Sequence, residues 1–428
     1  MFALLIYRII LLLLLPIILL VLLFRSLSNP QYRQRFSERL GFIPQSYQKN
    51  GIIVHAASVG EVIALTPVIE QLLQTYPELP ITITTFTPTG SAQVKKRFSS
   101  RVQHSYLPLD ILPCTQLFLT RLQPKLMIFM ETELWPNLIN QCAKKQIKLL
   151  LINGRLSTKS MKSYVKITRL IAPTLNNFDK ILCQSQDNLS NFIQLGAHHD
   201  RCLVSGNLKF DISINATILD KKAQLTTLLP AHRQLWLVAS THQGDEEIAL
   251  TAFKQIKALF PTLLLVLVPR HPERFNSVEK LCLGHDFTVI KRSTEISVDG
   301  QDIWLLDTLG ELMAAYSLAD IVTMGGSFSH IGGHNPLEPA LFKKPIVVGS
   351  DMSNFTDVLQ QLKQLQGIVQ LPTNQTSTGQ SSQLAKAIIK LLQDKPQAEL
   401  LGKQAHQVVL NNQGASARTL SYVQELLA

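Results

Sequence analysis

Short apolar runs alternate with helical stretches along the first half of the chain. The runs occupy residues 51–58, 81–86, 125–131, 148–154, 180–185 and 201–207. The helical stretches between them include residues 67–75, 137–146 and 187–194. Near-continuous apolar runs of this length are typical of parallel strands that are covered by helices on both faces. The pattern therefore predicts a doubly wound α/β domain.

A second series of apolar runs follows a polar stretch near residues 211–234. Its runs occupy residues 235–241, 263–271, 287–291, 303–308, 321–326 and 345–350, and helical patterns at 383–393, 397–411 and 414–427 end the chain. We therefore expect two Rossmann-like domains, residues 29–211 and 212–428, with the C-terminal helices able to pack back on the first. Because ligands bind beyond the carboxyl ends of parallel strands, we expect the domains to face each other across a cleft that holds the site.

Residues 1–28 form a separate segment that predicts a membrane anchor. From Leu4 to Phe24 the chain is apolar except for Tyr7 and Arg8, which is about the length that crosses ~30 Å of hydrocarbon. No small-residue cleavage site follows, which favours an uncleaved anchor. Four arginines follow this apolar run: Arg25, Arg33, Arg35 and Arg39. The positive-inside rule therefore predicts that the globular part of the chain lies in the cytoplasm. An anchor that lies in the membrane plane stays open, since Arg8 shortens the apolar run.

The amino-acid composition indicates which kinds of partner the protein binds and in which cellular compartment it folds. The 428 residues suit two or three domains, and the formal net charge of +11 favours anionic partners. The basic residues are scattered, so anionic lipid or a phosphorylated or carboxylated substrate fits as well as nucleic acid. The five cysteines form no C-x-x-C pair, which suits a reducing compartment and argues against a structural zinc site.

Glu61 is the first candidate for chemistry. It lies in the segment Ala57-Ser58-Val59-Gly60-Glu61, directly after a predicted strand, where a carboxylate can act as general base on a sugar hydroxyl. Ser58 and Glu61 also have the spacing of a capping box. However, Thr66-Pro67 predicts a helix that begins at Thr66 and leaves Glu61 in a loop. Both interpretations stay open from spacing alone.

Glu131 and Lys209 are the other candidates in the first half. Glu131 and Glu133 follow the strand predicted at 125–130, where one carboxylate could orient the acceptor or the base and the other could cap the next helix. Lys209, in the segment GNLKFD, could neutralise a phosphate or a sugar carboxylate. An ordinary exposed lysine is the alternative.

A glycine-rich loop is the most informative feature of the second half. Gly325-Gly326-Ser327-Phe328 precedes the segment GGHNPLEPA, in which Asn335-Pro336 predicts a helix start and Glu338 lies in its first turn. Glycines let a backbone approach a ligand closely, and a helix N-terminus suits a phosphate. Glu338 could then hold ribose hydroxyls. A well-capped helix accounts for the cap but not for four glycines.

Two further turns follow predicted strands of the second half. Arg270, in Pro269-Arg270-His271-Pro272, offers a forked donor for phosphate, with a solvated loop as the alternative. Asp307 to Leu312 is a strand-to-helix turn whose amides could bind a phosphate or a base oxygen, or a capping box of Thr308 and Glu311. His330 and His334 lack a pattern that predicts a metal site, and no Walker A or dinucleotide-binding motif is present.

Together these segments resemble the Kdo transferase family, which moves 3-deoxy-D-manno-oct-2-ulosonic acid (Kdo) from CMP-Kdo to a lipid A precursor. The resemblance covers nearly the whole chain and is carried by the anchor and its RQRFSERLG flank, HAASVGE, METELWPN, NGRLS, GNLKFD, ASTHQGDEE, PRHPERF, LGEL and GGSF…GGHNPLEPA. It implies a GT-B fold, inversion by direct displacement and no cofactor or metal. It also implies an inner-membrane enzyme of lipopolysaccharide biosynthesis that does not bind nucleic acid.

The resemblance also implies roles for individual residues. It makes Glu61 the general base, and Glu131 and Lys209 support for the transition state. Around the CMP moiety it places Pro269, Arg270, His271, Gly310, Glu311, Leu312, Asn335, Pro336, Leu337 and Glu338. We further expect substrate contacts from Ser58, Gly60, Ser240, Thr241, Gly326 and Ser327. The rivals are another GT-B enzyme that uses a UDP-sugar, either a transferase or a 2-epimerase, and a membrane-tethered sugar-nucleotide-binding protein without catalysis.

Overall fold

Two parallel β-sheets, each of seven strands, organise the chain. The computed structural model describes residues 2–230, 233–373 and 376–428. Unit 1 comprises Met1–Asp211 and Asn412–Ala428, and unit 2 comprises Ile212–Asn411. The predicted α/β fold with parallel sheets is thereby confirmed.

The sheet of unit 1 has the strand order β3-β2-β1-β4-β5-β6-β7, and every pairing is parallel. The strands are β1 (Ile52–His55), β2 (Ile81–Thr85), β3 (Gln103–Tyr106), β4 (Leu126–Met130), β5 (Lys148–Gly154), β6 (Lys180–Cys183) and β7 (Cys202–Val204). The helices are α1 (Phe2–Ser28), α2 (Phe36–Arg39), α3 (Val59–Thr75), α4 (Pro88–Phe98), α5 (Leu112–Leu122), α6 (Pro136–Lys144), α7 (Thr158–Val165), α8 (Thr168–Leu175) and α9 (Gln186–Gln194).

Alternate side chains of these strands fill two separate cores. Ile53 packs in one cluster, whereas its neighbours Ile52 and Val54 pack in the other. Because successive side chains of a strand point to opposite faces, this division means that both faces of the sheet are covered. Parallel strands buried in this way need apolar residues at every position, which is why the sequence shows continuous runs rather than alternation.

The sheet of unit 2 has the strand order β10-β11-β9-β8-β12-β13-β14 and is also parallel throughout. The strands are β8 (Leu235–Thr241), β9 (Leu264–Pro269), β10 (Val289–Lys291), β11 (Ile303–Leu305), β12 (Ile321–Met324), β13 (Ile346–Val348) and β14 (Val369–Gln370). The helices are α10 (Ala216–Thr226), α11 (Asp245–Lys257), α12 (Phe275–Gly284), α13 (Leu312–Leu318), α14 (Leu337–Leu341), α15 (Thr356–Gln364), α16 (Ser377–Gln393) and α17 (Lys395–Asn412).

The last helix, α18 (Ala415–Leu427), belongs to unit 1 and packs on α3 and β5. Asp211 fixes its start, because its carboxylate accepts hydrogen bonds from the Gly414 amide (2.7 Å) and the Ser416 hydroxyl (2.6 Å). Arg418 adds a bond to the Ser205 carbonyl (2.7 Å). The chain thus ends on the unit in which it begins.

Helix α3 corrects one sequence-based expectation. The helix begins at Val59 rather than at Thr66, and Pro67 lies inside it. Ser58 is its N-cap and accepts a hydrogen bond from the Glu61 amide (3.4 Å). Of the two interpretations, the one that starts the helix at Thr66 and leaves Glu61 in a loop is therefore wrong. The helix starts where the capping-box interpretation places it, although the Glu61 carboxylate accepts from the Ala57 amide and the Ser58 hydroxyl rather than from the Ser58 amide. A cap at the start of the helix outweighs the hydrogen bond that Pro67 cannot donate further along.

Two strands were not predicted from the sequence. Strand β3 carries the polar run Gln103–Tyr106, and β14 has only two residues, Val369 and Gln370. The helix start expected at Asn335-Pro336 exists, but α14 extends over five residues only. Thr308 and Glu311 do not form a capping box, since α13 begins at Leu312 with Glu311 itself as N-cap.

Candidate active site

Each sheet has a topological switch point, where the chain leaves one of two neighbouring strands towards one edge of the sheet and leaves the other strand towards the opposite edge. Candidate residues follow the strands at these points. In unit 1 this switch point lies between β1 and β4, and in unit 2 it lies between β8 and β12. The loops after such a strand pair diverge, which opens a crevice at the carboxyl ends of the strands. Glu61 follows β1 and Glu131 follows β4, whereas Thr241 ends β8 and Gly325 follows β12.

The Glu61 side chain folds back over the start of its own helix. One carboxylate oxygen accepts a hydrogen bond from the Ala57 amide (2.9 Å), and the other accepts one from the Ser58 hydroxyl (2.8 Å). Gly60 beside it is exposed, and a Cβ there would contact only the Ser58 hydroxyl oxygen, at an ordinary distance of 4.0 Å. The carboxylate is therefore held in place at the N-terminus of α3, where the Glu61 side chain is half-buried.

Electrostatics favour a proton-accepting role for Glu61. Burial raises the pKa of its carboxyl above the ordinary value, and the negative charges of Glu131 and Glu133 raise it further. The hydrogen bonds from Ser58 and Ala57 act in the opposite direction. A carboxylate whose pKa is shifted towards neutrality is a better base than an exposed one, because base strength rises with pKa. Sequence spacing alone did not predict that these three carboxylates come together.

Glu131 has an unusual backbone conformation. Its φ is 55°, in the left-handed region that non-glycine residues rarely occupy. The Glu131 amide nevertheless extends the sheet by donating to the Ile152 carbonyl (3.0 Å). Local strain of this kind is held by the surrounding fold and is frequent at functional positions. It therefore favours a functional interpretation of Glu131 over a purely structural one.

Glu133 is positioned by two aromatic neighbours. It accepts a hydrogen bond from the Trp135 indole (3.0 Å), and its carboxylate lies 3.5 Å from Nε2 of the fully buried His55. The Trp135 ring in turn stacks on Phe86, with ring centroids 5.7 Å apart. These contacts hold the loop between β4 and α6 against the ends of β1 and β2. His55 and Phe86 were not among the predicted site residues.

Lys209 lies on a short 3-10 helix, Leu208–Phe210, that packs against α3. Its amide donates to the Asn207 side chain (3.0 Å), and the adjacent Leu208 amide donates to Asn153 (3.0 Å). Because α3 carries Glu61 in its first turn, the two candidate residues belong to directly packed elements. Glu61, Glu131 and Lys209 thus all derive from the carboxyl-terminal edge of one sheet.

In unit 2 a close backbone contact accounts for the first loop glycine. A Cβ on Gly325 would lie 2.5 Å from the Ser240 carbonyl oxygen and 2.8 Å from the Thr241 Cα, so only glycine fits. Ser240 itself has a φ of 54° and lies in an irregularity of the β8–β9 pairing. The Gly326 amide donates to Asp245 (2.7 Å), which ties the glycine loop to the start of α11.

Three histidines and an arginine meet at this edge. Nε2 of His242 lies 2.8 Å from Nε2 of His334, with the rings parallel, and the His271 ring packs against His242 at 5.3 Å between centroids. Burial, together with the positive charge of Arg270, lowers the pKa of His334 to about 4. Burial and the neighbouring charges also lower the pKa of His242. Two neutral imidazoles can share this hydrogen bond, one as donor and one as acceptor.

Arg270 and His271 are exposed directly after β9, as an anion-binding role requires. The Arg270 amide donates to the Thr241 carbonyl (3.0 Å), so its position is fixed by the neighbouring strand. Burial raises the pKa of Tyr316. The negative charge of Glu338 raises this pKa further, and the positive charge of Arg270 lowers it. Arg270 and Glu338 are therefore both near Tyr316, whereas the side chain of Pro269 is buried.

Several predicted residues have side chains that are already engaged within unit 2. Thr241 donates to Glu246 (2.6 Å), and Ser327 donates to the Met324 carbonyl (2.6 Å) while accepting from the Gly349 amide (2.8 Å). Glu311 accepts from Arg292 (3.1 Å). All of these side chains are buried. A ligand would therefore meet these segments through their backbone.

The loop from Gly310 to Leu312 and the segment from Asn335 to Glu338 offer such backbone groups. Gly310 has a φ of 83°, and its carbonyl accepts from Lys221 (2.8 Å). Asn335 turns its side-chain oxygen to the Leu337 amide (3.2 Å). In the described part of the chain, no group of three or more His, Cys, Asp or Glu side chains is arranged to hold a metal ion.

An ion pair that was not predicted from the sequence lies next to the end of β9 and the segment after it, residues 269–272, which we call the donor loop. Arg274 donates to both carboxylate oxygens of Glu246, at 2.7 and 3.1 Å. Glu246 is fully buried, and Arg274 is 21 % exposed. Asp245, next to Glu246, accepts from the His242 amide (2.8 Å), and burial raises the pKa of Asp245 to about 6. These charged residues support the loops that carry Arg270 and Gly326.

Comparison with known proteins identifies the relatives of the chain. A family model described as 3-deoxy-D-manno-octulosonic-acid transferase (kdotransferase) matches residues 34–212. A protein of Haemophilus influenzae named 3-deoxy-D-manno-octulosonic acid transferase is 42 % identical over 96 % of both chains. A protein of the same name from Rickettsia bellii is 34 % identical over 85 % of this chain and 86 % of its own.

Solved structures support the fold. The UDP-GlcNAc 2-epimerase of Neisseria meningitidis is similar with a TM-score of 0.58 and 14 % identity, covering 89 % of this chain and 100 % of its own. At this identity the likeness concerns the fold alone. It agrees with the GT-B fold that the sequence predicts.

Proposed function

Because the chain belongs to the 3-deoxy-D-manno-octulosonic acid (Kdo) transferase family, we propose that it transfers Kdo from CMP-Kdo to an acylated lipid A precursor. The similarity over nearly the whole chain to named Kdo transferases carries this proposal. The three carboxylates at the switch point of unit 1 support it, since they supply a base for an acceptor hydroxyl. The enzyme acts in lipopolysaccharide core biosynthesis.

In the proposed mechanism, unit 1 activates the acceptor. Glu61 takes the proton of the acceptor hydroxyl, the oxygen attacks the anomeric carbon of Kdo, and the bond from that carbon to the CMP phosphate breaks. Glu131 and Lys209 support the charge that develops during this displacement. The hydrogen bonds from Ser58 and Ala57 support this role, because they aim the Glu61 carboxylate before the substrate arrives.

Unit 2 is proposed to bind the donor. Arg270 and His271 bind the charged phosphate, and backbone groups of the segments from Gly310 to Leu312 and from Asn335 to Glu338 contact the CMP moiety. The exposure of Arg270 and His271 after β9 supports this assignment. CMP leaves with the electron pair of the broken bond between the anomeric carbon and the phosphate oxygen, and the cationic side chains stabilise the negative charge that its phosphate gains.

We place the enzyme at the cytoplasmic face of the inner membrane. Among the described residues, Phe2–Leu27 forms one helix that is long and apolar enough to cross a membrane. The arginines that follow α1 support a cytoplasmic side for both units, because the anionic lipids of the cytoplasmic leaflet attract basic residues next to a membrane segment. An anionic, acylated acceptor would be reached from the same surface.

The direct test is transfer in detergent. Incubation of the full chain with CMP-Kdo, generated in the assay, and a tetra-acylated lipid A precursor is expected to yield a Kdo-bearing lipid. CMP, but not UDP, is expected to raise the melting temperature, because a ligand that binds only the folded state stabilises it. Protection by UDP, with no transfer from CMP-Kdo, would instead support a UDP-sugar enzyme. Protection by CMP with no transfer or donor hydrolysis would support a binding protein.

A pair of variants tests the charge environment of Glu61. Glu133→Gln removes a negative charge that raises the pKa of Glu61, so the acidic limb of the kcat/KM profile is expected to move to lower pH. Ser58→Ala removes a hydrogen bond that lowers this pKa, so the limb is expected to move to higher pH. The pH dependence of kcat/KM for both variants measures the two shifts. If neither variant moves the limb, it belongs to a group other than Glu61.

A further inference from the structure

Two polar residues near the start of α1 are hydrogen-bonded to the globular part of unit 1, which is the part that follows Asn29. The Tyr7 hydroxyl donates to the Asp110 carboxylate (2.9 Å), and Arg8 Nε donates to the Asn137 side-chain oxygen (2.7 Å). Both residues are half-buried, and α1 packs against α6 and α8 of unit 1. The N-terminal end of the helix is therefore fastened to the globular part of the chain.

The other end of the helix is fastened as well. Ser26 is 2 % and Leu22 8 % exposed, and the Ser26 hydroxyl accepts a hydrogen bond from Arg33 (3.1 Å) in the segment that follows. At a rise of 1.5 Å per residue, the helix covers about 28 Å between Tyr7 and Ser26. This length is close to the ~30 Å thickness of the hydrocarbon core.

If α1 crossed the membrane, Tyr7 and Arg8 could not form these two hydrogen bonds. In that orientation, Tyr7 and Arg8 would lie at the face opposite the one at which the chain continues after Asn29. Asp110 and Asn137 belong to the globular part of unit 1, and both are buried in it. The two hydrogen bonds can therefore form only if both ends of α1 lie on the same side of the membrane as this globular part.

Composition alone would predict that α1 crosses the membrane, because the helix is apolar around its whole circumference. Most helices that lie at a membrane interface have one polar face. The outer surface of α1 is nevertheless open along its whole length, from Phe2 (76 % exposed) to Leu27 (63 % exposed). Apolar surface of this extent needs an apolar partner. The polar side chains that interfacial helices usually turn to water are here turned to unit 1 instead.

The surface beside α1 indicates what this partner is. Helices α7 and α8 and their connection expose two apolar side chains, Val165 (47 %) and Ile167 (48 %). Three exposed basic residues, Lys162, Lys166 and Arg169, lie on the same stretch. Apolar side chains among basic ones are typical of a surface that rests on anionic lipid, where each cation near the surface contributes about 1 kcal/mol.

We propose that α1 is an in-plane anchor: it lies in the cytoplasmic leaflet alongside unit 1, locked by Tyr7 and Arg8, with acyl chains covering its outer face. The inference rests on the proposed membrane location of the enzyme and not on the catalytic roles. Asp110 also accepts from the amides of Asn137 (3.0 Å) and Leu138 (2.8 Å) at the start of α6, directly after the loop that carries Glu131. The anchor thereby fixes the depth at which this loop meets the lipid acceptor.

Topology mapping of the full-length chain tests the proposal without any activity readout. One form carries an epitope tag before Phe2 and another carries it after Ala428, whose helix α18 belongs to unit 1. Protease is added to sealed inverted inner-membrane vesicles and to right-side-out vesicles. We expect the two tags to be digested in the same type of vesicle. Digestion of the two tags in opposite types of vesicle would overturn the proposal, whether or not the enzyme transfers Kdo.

A double-variant cycle tests the lock itself. In detergent, Tyr7→Phe is expected to lower the melting temperature by about 2–4 °C in the native background, because it removes a hydrogen bond to a charged partner. In the Asp110→Asn background the same change is expected to have a clearly smaller effect. Equal losses in both backgrounds would mean that the Tyr7 hydroxyl does not bind Asp110, and the lock would be wrong.

Discussion

Replacing Glu61 by Gln is expected to lower kcat for Kdo transfer by about 10²- to 10⁴-fold, the usual contribution of a general base. The change removes the charge but keeps the shape, so the amide oxygen can still accept from the Ala57 amide and the amino group can donate to Ser58. The fold and the cap of α3 are therefore preserved. The loss is expected in kcat rather than in CMP affinity, because CMP is assigned to unit 2. Steady-state kinetics and CMP-induced melting shifts measure the two quantities.

The same helix provides a matched control for this variant. Glu70, which pairs with Arg101 at 2.7 Å, is 37 % exposed on α3. Glu70→Gln makes the same chemical change and should cost at most ~1 kcal/mol of stability, with transfer unchanged. If folded Glu61→Gln keeps the wild-type rate, the base lies elsewhere, and Glu131→Gln becomes the next variant to measure.

The sequence predicted most of the fold because parallel strands buried on both faces leave a strong pattern. Strand β1 with its continuous apolar run is an example, since each of its side chains is buried. Strand β3 shows where this pattern fails. His104 and Ser105 are buried polar residues there, and Arg35 and Glu38 supply their partners at 2.9 and 3.3 Å. Partners that are distant in sequence and satisfy polar groups cannot be read from local periodicity.

The start of α3 illustrates a second limit. Two local signals competed, the cap at Ser58 and the Thr66-Pro67 pair, and each predicted a different first turn. The Thr66 hydroxyl donates to the Val62 carbonyl (3.1 Å) inside the helix instead of capping a new one. The choice also required that Val62, Leu65 and Val68 be buried against the sheet, which depends on tertiary packing. Propensity alone could not decide between the two starts.

For the candidate site, the sequence predicted which segments lie at the carboxyl ends of the strands, but it did not predict which side chains contact each other there. The position of Arg270 after a strand follows from the apolar run that precedes it. By contrast, the pairing of His242 with His334 joins residues 92 positions apart. The motif containing Glu246 and the motif containing Arg274 were both recognised, but not as partners. Their contact depends on the adjacency of β8 and β9, which only the sheet order reveals.

The Arg274–Glu246 pair leads to the second large effect. Arg274→Met is expected to destabilise unit 2 by about 3–5 kcal/mol, because it leaves a buried carboxylate without a cationic partner. The Glu246 carboxylate then keeps only the hydrogen bond from the Thr241 hydroxyl among the contacts described above. Thr241 ends β8, and its carbonyl accepts a hydrogen bond from the Arg270 amide. We therefore expect the donor loop to become less ordered as well. Chemical unfolding of unit 2 and the KM for CMP-Kdo measure the two consequences.

The double variant Glu246→Gln/Arg274→Met separates the buried charge from packing. It removes both charges and keeps side chains of similar size, so most of the lost stability is expected to return, as replacing a whole buried pair is often neutral. The pair Lys291–Glu279 (2.8 Å) is the matched control, because its carboxylate is 30 % exposed whereas that of Glu246 is fully buried, and Lys291→Met should cost at most about 1 kcal/mol. If the double variant is no more stable than Arg274→Met, the loss comes from packing around the arginine stem and not from an uncompensated carboxylate. In that case the pair supports the donor loop by shape, and Glu246→Gln alone should be nearly neutral.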